Sequence, residues 1–268
     1  MKKYLSSLLA GLLMSTLSGI AHAADPIPLK VGIRGGIGEQ IWEVVTEVGK
    51  THGLAIEPIV FAGTLSPNEA LNNGEINANA FQHIPFFRDQ IKQRGYNLAV
   101  VGNTYLSPLA FYSKQYKSLQ DLPQNAKIGL PDDPSNGSRA LIILQNEGLI
   151  KLRDGFDPYN ETATFADIKE NPRNLQFLEV KSVVLARSYQ DVDAAAVISS
   201  FGSQVGLNAA RDGIAQEKVE NNPNVNIIVV REQDKDQPWV PLLVKSFQSD
   251  EVRAYIEREL KGVIEPAF

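Results

Sequence analysis

The chain contains no cysteine. That excludes disulfides, thiolate metal sites, a cysteine nucleophile and lipid attachment at a cysteine together. Histidine is scarce as well, with 3 in 268 residues. One of them, His22, falls in the leader described below, and His52 and His83 alone cannot build a multi-histidine metal centre. Basic residues are not in excess: 26 Lys and Arg stand against 31 Asp and Glu. No Lys/Arg stripe is long enough to track a phosphate backbone, so a nucleic-acid partner is not expected. Beyond the first twenty or so residues no apolar run reaches membrane-spanning length. Fixed-period repeats and low-complexity tracts are also missing. What remains is a fold held by core burial, which a chain of this length with 43% hydrophobic residues can supply.

Residues 1–23 read as an export leader. Lys2 and Lys3 form the charged start, Leu5 to Ile20 the apolar run, and Ala21-His22-Ala23 a small-residue cleavage site. The apolar run is too short and too interrupted by Ser and Gly to span a bilayer. Cleavage after Ala23 leaves 24 basic residues against 31 acidic ones, a net charge of −7, on a soluble surface with no attraction to anionic lipid. The expected location is therefore periplasmic and soluble.

Apolar runs bounded by Gly, Pro and Asn alternate with amphipathic stretches along the rest of the chain. Leu29 to Ile33 reads as a buried strand. Gly35-Gly36-Ile37-Gly38 turns it into a helix over 39–51, on which Ile41, Val44, Val45 and Val48 recur at helical spacing. The glycines invite a dinucleotide-binding reading, which fails because Ile41 stands where the third glycine belongs. They leave either a plain tight turn or a backbone able to approach an anionic group at a helix start.

In PNEALNNGEINANAFQH, residues 67–83, a helix stops at Gly74 and a strand over 76–80 delivers Phe81 and His83 to a strand end. Alternation places both on one face, with Gln82 opposite. An aromatic plate beside an imidazole at the carboxyl end of a strand suits a small amphipathic ligand. The alternative is a core phenylalanine beside a structural histidine. A second strand, over 127–130, feeds the polar turn Asp132-Asp133-Pro134-Ser135-Asn136-Gly137-Ser138-Arg139 and a helix over 140–147. Arg139 in a first helical turn opposes the helix dipole. It suits a bidentate grip on a carboxylate or, alternatively, pairing with Asp132 or Asp133. A helix over 164–171 and strands over 98–103, 109–113, 194–198 and 225–230 complete the pattern.

Alternating strands and helices indicate an α/β chain with mostly parallel sheets. Two strand-turn-helix elements so far apart in sequence are most simply explained by two lobes facing across a cleft. The expected division is lobe I over 24–112 plus 229–268 and lobe II over 113–228, joined by a two-crossover hinge.

At this point five segments, taken in order, resemble a known family. They are PNEALNNGEINANAFQH, RGYNLAVVGNTY, LPDDPSNGSRALIILQNEGLIKLRDG, ENPRNLQFLEV and NVNIIVVREQDKD, and together they cover nearly all of the chain after the leader. They are similar to the methionine-binding lipoproteins of ABC importers, the NlpA/MetQ type. The resemblance implies a two-lobed periplasmic binding protein, expected as a monomer without cofactor, that closes on an amino acid and delivers it to an inner-membrane permease. It implies that Phe81, His83, Arg139 and Asn226 hold the ligand, with Asn136 shaping the turn or touching the ligand.

The departures bear on specificity. Thr64 stands where the family has a pocket Tyr. Ser199 and Phe201 replace the Asn and Tyr of a V-I-N-x-x-Y segment, and Arg34 opens an unusual first loop. Losing a phenol and a carboxamide shifts what a hydrogen-bonding site accepts. A sulfonate, a dipeptide or another organosulfur anion is thus an alternative to methionine. A hydrolase using Ser199 or Ser200 with His83 is the remaining alternative, disfavoured because no G-x-S-x-G elbow frames either serine.

Overall fold

A computed structural model describes residues 25–62, 65–158 and 160–268. The chain builds two main sheets in succession, with a small two-stranded one in the second pass, and then returns to the first. The first pass runs β1 (Ile27–Ile33), α1 (Ile37–Thr51), β2 (Leu54–Val60), α2 (Pro67–Asn72), β3 (Ala78–His83), α3 (Ile84–Arg94) and β4 (Leu98–Leu106). Ser107 and Pro108 cross to the second sheet. There follow β5 (Leu109–Tyr112), β6 (Lys127–Pro131), α4 (Pro134–Asn146), β7 (Lys151–Leu152), β8 (Ile168–Glu170), β9 (Gln176–Val180), α5 (Ser182–Ser188), β10 (Ala194–Ile198), α6 (Ser199–Gly202), α7 (Ala209–Asp212) and β11 (Ala215–Gln216). Residues 217–224 cross back to β12 (Val225–Arg231), α8 (Trp239–Phe247), α9 (Asp250–Glu259) and β13 (Glu265–Pro266).

The first sheet has strand order β13-β4-β12-β3-β1-β2 and the second β11-β5-β10-β6-β9. Each lobe has its own core. On α1, Ile37, Ile41, Trp42 and Val45 point inward at helical spacing and meet Leu243, Phe247, Val252 and Ile256 from α8 and α9 over one face of the first sheet. Ala70, Leu71, Phe87, Ile227 and Val229 fill the other face. The second sheet is sandwiched likewise, with Leu141 and Leu144 of α4 on one side and Leu185 of α5 on the other.

The two-lobed α/β plan stands, but the sheets are mixed where mostly parallel ones were expected. β1 runs parallel to β2 and β3, whereas β12 is antiparallel to both β3 and β4. In the second sheet β6 is parallel to β9 and β10, and β5 is antiparallel to β10 and β11. The reason is the hinge. β4 leaves the first lobe and β12 enters it at the same edge, so as neighbours they must point in opposite directions; the same holds for β5 and β11 in the second lobe. Parallel neighbours require a crossover within one lobe.

The strand pairing also moves the expected lobe boundaries. Leu109–Tyr112 belongs to the second sheet and Val225–Ile228 to the first. Two local expectations differ too. Residues 164–171 form a tight turn, in which Thr164 bonds Asp167, followed by strand β8. The helix carrying Arg139 starts at Pro134 under an Asp133 cap, five residues before the arginine. Arg139 therefore lies beyond the first turn, where the helix dipole has faded.

Candidate functional site

The end of β3 is shaped by a bulge. Gln82 faces Ile227 and Asn79 faces Val229, so three steps on β3 span two on β12. The extra residue brings Asn79 and Gln82 to one side. There Asn68 and Gln82 exchange amide hydrogen bonds at 2.8 and 2.6 Å, and Asn79 Nδ2 donates to Asn68 Oδ1 at 2.9 Å. This buried amide cluster is internally satisfied and anchors the strand. Phe81 and His83 line a cavity of about 140 Å³ that lies between the lobes.

His83 is placed by two hydrogen bonds that fix its tautomer. Nδ1 accepts from the backbone N–H of Phe86, capping α3, at 3.2 Å. Nε2 therefore carries the proton and donates to Asn136 Oδ1, on the other lobe, at 2.9 Å. Burial, reinforced by the nearby Arg139 charge, pulls its pKa down to about 3. The imidazole is neutral at physiological pH. Asn136 is oriented in turn by Asp133, whose carboxylate accepts from Asn136 Nδ2 at 3.0 and 2.9 Å.

Arg139 is 4% exposed and lies on the cavity wall. Its fork is filled from within the protein. Nε donates to Glu217 Oε2 at 3.1 Å and Nη2 to Glu217 Oε1, while Nη2 also reaches Ser107 O at 2.8 Å. Nη1 donates to Asn136 Oδ1 at 2.9 Å. The bidentate edge expected to grip a ligand carboxylate is thus taken by Glu217, and neither Asp132 nor Asp133 pairs with it. One Nη1 N–H is left over from these bonds.

Arg34, Phe201, Asn136 and Asn226 join Phe81, His83 and Arg139 on the same wall. The Arg34 guanidinium lies 5.3 Å from the Phe81 ring centre and donates to Phe61 O at 3.0 Å. Burial lowers its pKa from the usual value. Asn226 pairs in register with His83 on β12, and its side chain meets the Tyr105 phenol, whose pKa is pushed up to about 12 by burial. Ser199 is not on the wall: it is buried beside the Tyr112 phenol behind β10, and Ser200 lines the cavity in its place. Thr64 lies outside the described residues. The first glycine loop does reach the cavity through Gly35 and Gly38. Its helix start is occupied by Glu39, which accepts from Gly36 N at 2.8 Å. Gly36 is required, since φ is +79° and a Cβ would sit 3.0 Å from Gln204 of the other lobe.

Sequence reasoning missed Asp133 as a wall residue, along with Tyr105, Ser107, Phe86 and Gln204. Tyr105 and Ser107 were hidden because β4 runs on to Leu106 instead of ending at Asn103. Glu217 had no local signal, lying in an irregular stretch whose importance comes only from the return crossing.

Two lobes joined by paired crossings, with a cavity of aromatic walls and a few converging polar groups between them, define a substrate-binding protein. The NlpA lipoprotein family matches residues 29–268. The D-methionine-binding lipoprotein MetQ of Escherichia coli (strain K12) is 43% identical over 241 residues, covering 89% of this chain and 88% of that protein. Outer membrane lipoprotein 2 of Mannheimia haemolytica is 40% identical over 233 residues, covering 87% and 83% respectively. Among solved structures, a nutrient binding protein from Burkholderia cenocepacia bound to methionine matches with a TM-score of 0.86 and 44% identity, covering 90% of this chain and 100% of that one. The chain belongs to the NlpA lipoprotein family, and two of these three relatives are named as binding proteins. Among the described residues no helix is long and apolar enough to cross a membrane.

Proposed function

We propose that this chain is the exported substrate-binding component of an ABC importer, capturing methionine or a closely related amino acid and delivering it to an inner-membrane permease. In this reading residues 1–23 are its export leader, and it works in the periplasm as a monomer. The observation that carries the ligand class is the charge balance of the site. Arg34 and Arg139 are matched by Asp133 and Glu217, with His83 neutral, which suits a zwitterion of no net charge.

The ligand carboxylate takes the remaining Arg139 N–H and the Arg34 guanidinium in charge-assisted bonds. The ammonium group faces Asp133. Three of the four hydrogen bonds that this carboxylate accepts fall on Oδ1, leaving acceptor capacity on Oδ2. Phe81, Phe86 and Phe201 pack the apolar end, where a polarizable thioether gains from aromatic contact. Asn226 and the Tyr105 hydroxyl orient polar groups. Two of the relatives, a D-methionine-binding lipoprotein and a nutrient binding protein bound to methionine, support the same ligand.

One observation favours a second reading, a longer or anionic ligand such as a dipeptide or sulfonate. A chamber of about 290 Å³ adjoins the cavity, and its described lining includes Arg34, Lys181 and Arg187 but no carboxylate. A thermal-shift screen of amino acids, dipeptides and sulfonates separates the readings, since a ligand that binds only the folded protein raises Tm. Methionine is expected to give the largest shift. A larger shift with a sulfonate or dipeptide, and none with methionine, overturns the first reading.

A further inference from the structure

Glu217 opens the return crossing and does not line the cavity, yet its carboxylate is the meeting point of the hinge and the site. Its side chain is only 9% exposed. Oε1 accepts from Arg139 Nη2 and from the backbone N–H of Leu109, at 2.8 Å, where the outward crossing ends. Oε2 accepts from Arg139 Nε at 3.1 Å and from Asn224 Nδ2, at the far end of the return crossing, at 3.4 Å. Every donor around this carboxylate is an N–H, so a carboxylate fits and an amide does not. One group thereby holds the guanidinium plane, joins both crossings and cancels the Arg139 charge.

We infer that Glu217 is a positioning and specificity-determining residue: by orienting and neutralising Arg139 it makes the cavity select ligands of no net charge. This rests on the reading of the ligand as methionine. With Glu217 ionised, Arg139 offers a ligand one hydrogen bond but little net field. Without that charge, the same N–H becomes part of an uncompensated buried cation, which favours anions and repels cations.

The test compares three forms of one ligand by isothermal titration: methionine (zwitterion), methioninamide (cation) and N-acetylmethionine (anion). Full-length mature wild-type protein is compared with Glu217→Gln and with Glu217→Asp, which keeps the charge on a shorter arm. Wild type is expected to bind methionine more tightly than either charged form. In Glu217→Gln the ratio of N-acetylmethionine to methioninamide affinity is expected to rise by roughly tenfold or more, whereas Glu217→Asp weakens all three without moving that ratio. A merely structural role lowers the three affinities by one common factor and overturns the inference. Should neither variant fold, wild type decides: N-acetylmethionine bound as tightly as methionine overturns it. Wild type that binds none of the three overturns the methionine reading and this inference with it, whereas wild type that binds methionine with an unmoved ratio in Glu217→Gln overturns this inference alone.

Discussion

Asn136 Oδ1 accepts two hydrogen bonds at 2.9 Å, one from Arg139 on its own helix and one from His83 on the opposite lobe. A single amide oxygen therefore joins the two candidate ligand-holding groups and closes the gap between the lobes. Gln204 Nε2 supports the same closure by reaching Gly35 O at 3.4 Å.

Asn136→Ala removes the shared acceptor and leaves two buried donors unpaired. Such loss costs roughly 1–3 kcal/mol per group, so ligand affinity is expected to fall at least about tenfold. Calorimetric titration checks the affinity. Small-angle scattering of the liganded variant is expected to show a larger radius of gyration than wild type.

The buried neutral His83 links stability to pH. Its folded pKa, about 3, lies below the unfolded value near 6.5. Its contribution is therefore fully present above pH 6.5 and is lost as pH falls through that window towards 3. Wild-type Tm is expected to drop more steeply between pH 7 and pH 4.5 than that of His83→Gln. Parallel slopes in a melting series would remove His83 as the cause.

Asp89 on α3 acts with the opposite sign. Burial and then the neighbouring Asp133 carboxylate raise its pKa, so its ionised form opposes the folded, closed state at neutral pH. That opposition fades as pH falls through the raised value. Asp89→Asn is expected to increase Tm at pH 7 by about 1–2 °C, an increase that vanishes in acid.

Phe247 is fully buried between Trp42 at 5.6 Å and Tyr105 at 6.4 Å, ring centre to ring centre. Phe247→Ala is expected to destabilise the first lobe by about 3–5 kcal/mol. Denaturant unfolding measures that loss.

Much of this architecture was legible where chemistry is local. The helical spacing of Ile41 and Val45 and the turn preceding Arg139 placed two strand-turn-helix elements, and both reach the cavity. Alternation along a strand put Phe81 and His83 on one face. What stayed illegible depends on chain return. Strand direction at the hinge follows from which edge β4 leaves and β12 enters. The partner of Arg139 is 78 residues away in sequence. The bulge between Asn79 and Gln82 shows only in the register with β12. Ser199 read as a wall residue because its segment matches a family motif, but the tight start of α6 turns it behind β10 and presents Ser200 to the cavity.

Calorimetric titration of the mature protein and of Arg139→Ala with methionine tests the central claim most directly. Wild type is expected to bind one methionine per chain with micromolar or tighter affinity, and Arg139→Ala to bind at least about tenfold more weakly. No binding by wild type, or an unchanged affinity in Arg139→Ala, would contradict a ligand held between Arg139 and the Phe81–His83 pair.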